Sequence, residues 1–438
     1  MYRFKFFADL AIFFLFLSVF ASSGVATVST TPSSPTSFVE NGYATLEHDT
    51  KAVSKELRTA LQQAIDSYFQ EAVASGEVVG AGVSIVNGEE VLLADGFGTR
   101  NKGTGKMVDG QTVFRLGSLS KGFTGVLASD LKDEGKLAWE DRVSDCIPEF
   151  ELGDKENTAD ITLAHLLSHT SGAPYHSYTN LVEAGLSLDQ IASRFAQVQP
   201  ISRPGEMYSY QNALFALSGE MMEQVTGEEI AISLEERFFK PLEMCATTMD
   251  YEALEKIENK AKPHVKSRQG WKSGKLTNSY FNAIAAGGIN SNTEDMGTWM
   301  QFLLGHHPDV MTPDALQEAF EPFVEIPGKH KYYQRWPGHI ASYYGFGWRI
   351  HKYQLGHSGK ESTMWHHGGS VNHFRNEIAL FPDEDLGICV LLNNQSKIAQ
   401  RVVMDLYQIV QEVVQAHRSE THLTQSIVNS IPIESSGT

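Results

Sequence analysis

Apolar and polar residues follow different periodicities in successive regions of this chain. Between positions 52 and 74, four apolar residues recur at the spacing of one helix face: Leu57, Leu61, Ile65 and Phe69. This spacing predicts an amphipathic helix. The next segment, "GAGVSIVNGEEVLLADGFG", carries Asn87-Gly88 between two runs rich in β-branched residues, which predicts two strands joined by a tight hairpin.

The middle of the chain, about 116–305, has mostly helical periodicity interrupted by loops, as in "DITLAHLLSHTSG" and "MGTWMQFLLG". Strand patterns return late, in "NHFRNEIALF" and "LGICVLLN". Because a two-stranded hairpin alone is marginal in water, we expect the early and late strands to share one antiparallel sheet. The predicted fold class is α+β, with a helical insertion and a groove between the insertion and the sheet. "IAQRVVMDLYQIVQEVVQ" predicts a closing helix.

The two ends of the chain differ in composition from the part between them. A basic start, an apolar run at 10–21 and small residues after it are typical of a secretory signal. We therefore interpret 1–26 as a signal peptide, which predicts a secreted or periplasmic protein, and the Ser/Thr/Pro-rich stretch 27–50 as a linker. The run is shorter than the roughly 20 residues of a spanning helix, so no stable membrane anchor is expected after cleavage. An uncleaved anchor is the alternative. The globular domain is assigned to 51–418, and a disordered tail to 419–438.

Charge and side-chain composition exclude several classes of function. The 438 residues include 53 acidic and 35 basic side chains, with a formal net charge of −18 and no dense basic block in the globular part, so nucleic acid is excluded as a partner. Cys146, Cys245 and Cys389 lie far apart, without metal-ligand spacing, and form at most one disulfide. His165 and His169 have the i, i+4 spacing of a metal pair, but no glutamate follows the first histidine. No metal and no cofactor are predicted.

Candidate chemistry begins in "FRLGSLSKGFTGVLASDL", residues 114–131. Residues three apart on a helix share a face, so Ser118 and Lys121 would point the same way. Free backbone amides at a helix start favour developing negative charge. A serine hydroxyl becomes nucleophilic when a neighbouring base takes its proton, and a buried lysine with a lowered pKa is such a base. The alternative is that Ser118 caps the helix and Lys121 is a solvated surface charge.

Two further motifs follow at wide spacing. "RPGEMYSYQNALFALSG" places Tyr210 and Asn212 just before a predicted helix, and "WHHGGSVNHF" places His367, Gly369 and Ser370 next to a predicted strand. The alternatives are a helix-entry turn for the first pair and adjacent histidines packed at a strand end for the second motif. An α/β-hydrolase is excluded because no Gly-x-Ser-x-Gly occurs.

Ser-x-x-Lys, Tyr-x-Asn and a basic residue followed by x-Gly, in this order, resemble the three motifs of the serine β-lactamase and penicillin-binding-protein superfamily. The pattern is most similar to its class C branch, which includes D-Ala-D-Ala carboxypeptidases, D-aminopeptidases and esterases. "ITLAHLLSHTSG", "AAGGINSNTEDM" and "EIALFPDEDLGICVLLNN" also resemble family segments, so the likeness spans about 57–412. It implies a β-lactamase/transpeptidase-like fold with the active site in the groove.

The resemblance also implies roles for individual residues. Ser118 would attack the carbonyl and become acylated, while Lys121 and Tyr210 share the proton transfer, and which of the two is the base stays open. Asn212 would hydrogen-bond the substrate amide or Lys121. The backbone amides of Ser118 and Ser370 would form an oxyanion hole.

The third motif departs from the β-lactamase pattern Lys-Thr-Gly. His367 replaces the lysine and Gly368 replaces the threonine, and both family residues help to hold a substrate carboxylate. His367 and Gly369 are still expected to contribute to substrate binding, with a carboxylate held weakly. The departure favours an exported serine hydrolase acting on D-amino-acid peptides of the cell-wall type or on esters. A class C β-lactamase and a penicillin-binding sensor that acylates without turnover are the alternatives.

Overall fold

Strands come from both ends of the chain and most helices from its middle, in a computed structural model that describes residues 54–355 and 360–430. The strands are β1 (Gly80–Asn87), β2 (Glu90–Asn101), β3 (Lys106–Met107), β4 (Phe114–Arg115), β5 (His264–Ser267), β6 (Gly270–Ser273), β7 (Asn290–Ser291), β8 (Val324–Glu325), β9 (His339–Tyr344), β10 (Arg349–Tyr353), β11 (Ser362–Val371), β12 (Phe374–Phe381) and β13 (Leu386–Leu392). The helices are α1 (Lys55–Ala74), α2 (Ser120–Asp133), α3 (Val143–Cys146), α4 (Lys155–Ala159), α5 (Leu163–Leu167), α6 (Thr179–Glu183), α7 (Leu188–Ala192), α8 (Asn212–Thr226), α9 (Ile230–Leu234), α10 (Tyr251–Lys256), α11 (Ile284–Gly287), α12 (Thr293–Leu303), α13 (Pro313–Gln317) and α14 (Val402–Ser430).

The early and late strands share one sheet, as the sequence predicts. Its strand order is β3-β2-β1-β13-β12-β11-β10-β9-β8, and β1 pairs antiparallel with β13, for example Val83 with Val390. The hairpin between β1 and β2 is also present. Its turn is Gly88-Glu89, one residue later than predicted, because Asn87 still pairs with Glu90.

Two apolar cores cover the two faces of this sheet. One contains Ile65 and Phe69 of α1 together with buried residues of α14, and the other contains Trp299 of α12 and most of the helical insertion. Successive residues of β13 belong to different cores: Val390 packs in the first and Leu391 in the second. Burial on both faces explains why "LGICVLL" is an unbroken apolar run rather than an alternating one.

The structure also departs from the sequence prediction in β9 and β10, in β11 and at the end of α14. Strands β9 and β10 were not predicted, because their polar and aromatic residues hide the alternation. "HHGGS" lies inside β11 rather than before a strand. The predicted disordered tail from 419 is also contradicted in its first part, since α14 continues to Ser430; once a helix is nucleated, each further residue is easily added.

The proposed signal peptide and linker lie outside the described residues, as does 431–438. Every described residue belongs to one compact unit. In residues 54–355 and 360–430, no helix has the length and apolar character that crossing a membrane requires. The three cysteines are all free thiols.

Candidate active site

Ser118 lies in a short turn of 3-10 helix, Gly117–Leu119, that leads directly into α2. We call residues 117–121 the catalytic turn. Gly117 has a φ of 58°, and a Cβ at this position would lie 3.0 to 3.1 Å from backbone atoms of Ser370. Only glycine tolerates both constraints. The catalytic turn and strand β11 are therefore in close contact next to Ser118.

Lys121 is fully buried and has three polar neighbours. Its Nζ lies 2.8 Å from Asn212 Oδ1, 2.6 Å from the carbonyl oxygen of Ala286 and 3.3 Å from Ser118 Oγ. A neutral amine has two N–H groups and one lone pair. The two oxygen acceptors take both N–H groups, so the lone pair is left to accept the Ser118 hydroxyl proton.

The surroundings of Lys121 favour its neutral form. Burial lowers the pKa of the ammonium group well below its usual value, and the positive charge of Arg349 lowers it further. Among the described residues, no carboxylate lies within salt-bridge distance to oppose these effects. The lysine is consequently suited to act as a general base.

Tyr210 approaches the nucleophile from the segment before α8. Its hydroxyl donates to Ser118 Oγ over 3.0 Å. Burial raises the pKa of this phenol to about 12, so Tyr210 keeps its proton near neutral pH. The sequence left two residues open as the base; the geometry and the two pKa shifts favour Lys121 for this role, with Tyr210 as a hydrogen-bond donor to Ser118.

Asn212 is the first residue of α8 and connects the lysine to the helical insertion. Its Oδ1 accepts from Lys121, and its Nδ2 donates to the hydroxyl of Tyr280 over 3.0 Å. Buried Arg115 holds the segment that carries Tyr280 by donating to the carbonyl oxygens of Thr277 and Ser279. Sequence reasoning missed Tyr280, because no motif marks it and only tertiary packing brings it to the site.

His367, which the sequence predicts to take part in substrate binding, is an interior residue of β11. Its ring is fully buried and does not line the cleft. The Nε2 atom lies 2.9 Å from the Tyr344 hydroxyl, which is 3.2 Å from His169 Nε2, and the Nδ1 atom donates to the carbonyl oxygen of Gly368. Because β11 is a strand, successive residues face opposite sides. His367 thus lies on the same strand face as Gly369, with its ring centre 6.4 Å from that of Tyr210, and its contact with substrate stays a prediction.

Gly369 and Ser370 continue β11 along the catalytic turn. A Cβ at Gly369 would lie 2.2 Å from the carbonyl oxygen of Leu116, so this glycine permits the close approach of the two segments. Ser370 lines the cleft, and its Oγ accepts from Gln395 over 2.7 Å. The backbone of Ser370 is therefore near Ser118, while the oxyanion hole itself stays a prediction.

The cleft around Ser118 has a volume of about 350 Å³. Tyrosines and cations dominate its lining: Tyr175, Tyr208, Tyr210, Tyr280, Tyr332, Tyr333, Lys331, Arg349 and Arg375, against a single carboxylate, Glu183. In a chain of net charge −18, this surface has the opposite sign. A larger cavity of about 860 Å³ along α14 has no serine, cysteine or histidine among its described lining residues, so the smaller cleft is the candidate active site.

Arg349, on β10, is the cation of greatest interest in this cleft. Its Nε and Nη1 atoms are buried and make no hydrogen bond within the described residues, and its guanidinium lies 5.0 Å from the ring centre of Tyr333. A buried donor without a partner is costly, and a bound anion would satisfy it. Sequence reasoning missed Arg349, because a lone arginine in a strand carries no motif.

Known proteins are similar to this chain over most of its length. A family model described as Beta-lactamase matches residues 65–411. The Staphylococcus aureus (strain MW2) protein flp is 24% identical over 353 residues, which cover 79% of this chain and 66% of flp. Unguisins hydrolase ungD' of Aspergillus campestris is 28% identical over 326 residues, which cover 70% of this chain and 58% of that protein. The chain thus spans just under two thirds of flp, and less of ungD'.

A solved structure shows the same fold. The octameric penicillin-binding protein homologue from Pyrococcus abyssi superposes with a TM-score of 0.68 at 23% sequence identity, covering 79% of this chain and 77% of that one. The predicted fold class, an antiparallel sheet flanked by helices with a mostly helical insertion, is confirmed.

Proposed function

Since the chain belongs to the β-lactamase family, within the serine β-lactamase and penicillin-binding-protein superfamily, we propose that it hydrolyses amide or ester bonds through an acyl-enzyme at Ser118. One observation carries the proposal. Ser118 Oγ lies 3.3 Å from Lys121 Nζ and accepts from the Tyr210 hydroxyl at 3.0 Å. A base and an acid thus flank one nucleophile, which is the arrangement that covalent catalysis requires.

The proposed reaction has two halves. Lys121 accepts the hydroxyl proton as Ser118 Oγ attacks the substrate carbonyl, and the backbone amides of Ser118 and Ser370 stabilise the oxyanion. Tyr210 donates a proton to the leaving group as the carbon–heteroatom bond breaks, and the proton on Lys121 replaces it. Water then attacks the acyl-enzyme, releases the acid and restores Ser118.

The substrate class follows from the charge of the cleft. Arg349 and Arg375 line it, and Arg349 has unpaired donors, so we infer a substrate with a carboxylate close to the scissile bond. D-amino-acid peptides of the cell-wall type and carboxylated esters have this feature. The name of the relative ungD', unguisins hydrolase, also favours hydrolysis. Small molecules or peptides are the proposed partners, and the apolar run at 10–21 supports export to the periplasm or medium.

β-Lactams also carry a carboxylate, so a β-lactamase is the second candidate. A sensor that acylates and does not turn over is the third. One experiment separates them: mature protein is mixed with benzoyl-D-alanyl thioglycolate, a D-Ala-D-Ala peptide or benzylpenicillin, and product is followed from the first turnover. Steady-state turnover of the thioester or peptide supports the proposed hydrolase, and efficient turnover of penicillin supports a β-lactamase. A stoichiometric burst without turnover supports the sensor, and no acylation by any substrate contradicts all three.

A further inference from the structure

Glu377 is a fully buried carboxylate directly opposite Gly368 in the pairing of β12 with β11. A Cβ at position 368 would lie 2.7 Å from the Tyr332 hydroxyl and 2.8 Å from Glu377 Oε2. Glu377 and Tyr332 therefore fill the space that a side chain at 368 would need. The threonine of the Lys-Thr-Gly pattern does not fit here unless this pair moves.

Three groups donate to the Glu377 carboxylate. Arg375 Nη2 donates to Oε1 over 2.6 Å, the Tyr332 hydroxyl donates to Oε2 over 2.7 Å, and His366 Nε2 lies 2.8 Å from Oε2. The Arg375 guanidinium also lies 5.4 Å from the ring centre of Tyr332. Arg375 and Tyr332 both line the cleft, whereas Glu377 does not. We call Tyr332, Arg375 and Glu377 the cleft wall.

A chain of hydrogen bonds supports this carboxylate from behind. His366 Nδ1 is 3.2 Å from His351 Nε2, His351 Nδ1 is 2.8 Å from Ser342 Oγ, and Ser342 Oγ is 2.7 Å from His339 Nε2. Burial and the charge of Arg349 keep the pKa values of His351 and His366 well below the usual range. When the histidine rings are neutral, each group in this series can donate to the next, from His339 to Glu377. These hydrogen bonds hold the carboxylate in one place.

We propose that Glu377 is a positioning residue, which fixes Arg375 and Tyr332 so that these two side chains, rather than residue 368, select the carboxylate-bearing part of the substrate. The inference rests on the proposed hydrolase function. Glu377 does not itself line the cleft and acts through Arg375 and Tyr332.

The test is Glu377→Gln, assayed with benzoyl-D-alanyl thioglycolate and with its methyl ester, which lacks the carboxylate. An amide cannot accept from Tyr332, His366 and Arg375 together, so Arg375 loses its fixed position. We expect KM for the carboxylate substrate to rise about tenfold, as for a lost charged hydrogen bond, with a much smaller change in kcat. KM for the methyl ester should change less than threefold.

A role for Glu377 in charge neutralisation alone predicts the opposite change in KM. If Glu377 only neutralised Arg375, its removal would leave the cleft more positive and lower KM for the carboxylate substrate. A lower KM, an unchanged KM or an equal change for both substrates overturns the proposal. Glu325→Gln, the same substitution at an exposed residue of β8, is the matched control and should behave as wild type.

Gly368→Ala provides an independent test, because its methyl group would displace Tyr332 and Glu377 without changing any charge. It should reproduce the KM change of Glu377→Gln. The double variant should raise KM for the carboxylate substrate little more than either single variant does. Crystal structures of wild type and Glu377→Gln give a readout that needs no substrate: Arg375 and Tyr332 should leave their places. Unmoved side chains contradict the positioning role, while failure of wild type to acylate Ser118 contradicts the proposed function instead.

Discussion

The catalytic turn and the cleft wall each contain one fully buried ionisable side chain, Lys121 and Glu377; burial favours the neutral form of both, but their partners differ. Burial lowers the pKa of Lys121, and nearby Arg349 lowers it further. Burial raises the pKa of Glu377, and the charge of Arg375 and the hydrogen bond from Tyr332 limit the rise, so that this pKa is about 7. A buried group without a counter-ion is pushed to its neutral, reactive form. A buried group with several donors is held in place instead, so in our proposal the first region supplies the reactive groups and the second positions side chains that bind the substrate.

The largest expected effect is at the catalytic turn. Lys121→Ala removes the base and should lower kcat at least about 10³-fold, measured with the thioglycolate methyl ester. Lys132→Ala is the matched control, since it removes a lysine from the same helix whose ion pair with Glu318 is partly exposed and worth little. Comparable losses in the two variants would show that Lys121 matters to α2 rather than to catalysis.

The next effect tests whether Lys121 and Tyr210 act as one unit. Tyr210→Phe should cost about 10²-fold in kcat. The double variant with Lys121→Ala should lose little more than Lys121→Ala alone, because groups that transfer one proton together are not additive. Losses that multiply would place the two residues on separate steps and remove Tyr210 from the proton path.

The pH dependence links the two regions. Only neutral Lys121 is a base, so kcat/KM for the methyl ester should fall about tenfold per pH unit below the pKa of Lys121 and level off above it. Tyr210, with a pKa of about 12, should stay protonated throughout. Arg349→Met removes a charge that lowers the pKa of Lys121, so the acidic limb should move to higher pH. A limb that does not move would mean that Arg349 has no influence on the base.

The smallest effect concerns binding alone. Arg349→Met should raise KM for benzoyl-D-alanyl thioglycolate about tenfold and leave KM for its methyl ester unchanged at the pH of the plateau. Lys352→Met, on the same strand but hydrogen-bonded to Thr363 away from the cleft, is the control. Equal changes for the two esters would argue against a carboxylate subsite at Arg349.

Sequence reasoning reached the catalytic turn because its chemistry is local. Ser118 and Lys121 are three residues apart, and helix geometry alone brings them together. The cleft wall depends on strand register, since Glu377 meets Gly368 only through the pairing of β12 with β11. The orientation of His367 also depends on strand structure. The motif His367-Gly368-Gly369-Ser370 is visible in the sequence, but the face of the strand on which each of its residues lies is not.

Ser118 is the proposed nucleophile, and the nearby Ser120 is the hydroxyl from which a test must distinguish it. Ser120 is fully buried, and its Oγ accepts from the backbone amide of Ile289 over 3.0 Å. Ser120 therefore bonds to the backbone, whereas Ser118 Oγ lies next to Lys121 and Tyr210. The most direct measurement is intact mass and peptide mapping of the mature protein after reaction with a fluorophosphonate. We expect one adduct, located on Ser118 and absent from Ser118→Ala; an adduct on Ser120, or undiminished labelling and turnover in Ser118→Ala, would show that Ser118 is not the nucleophile.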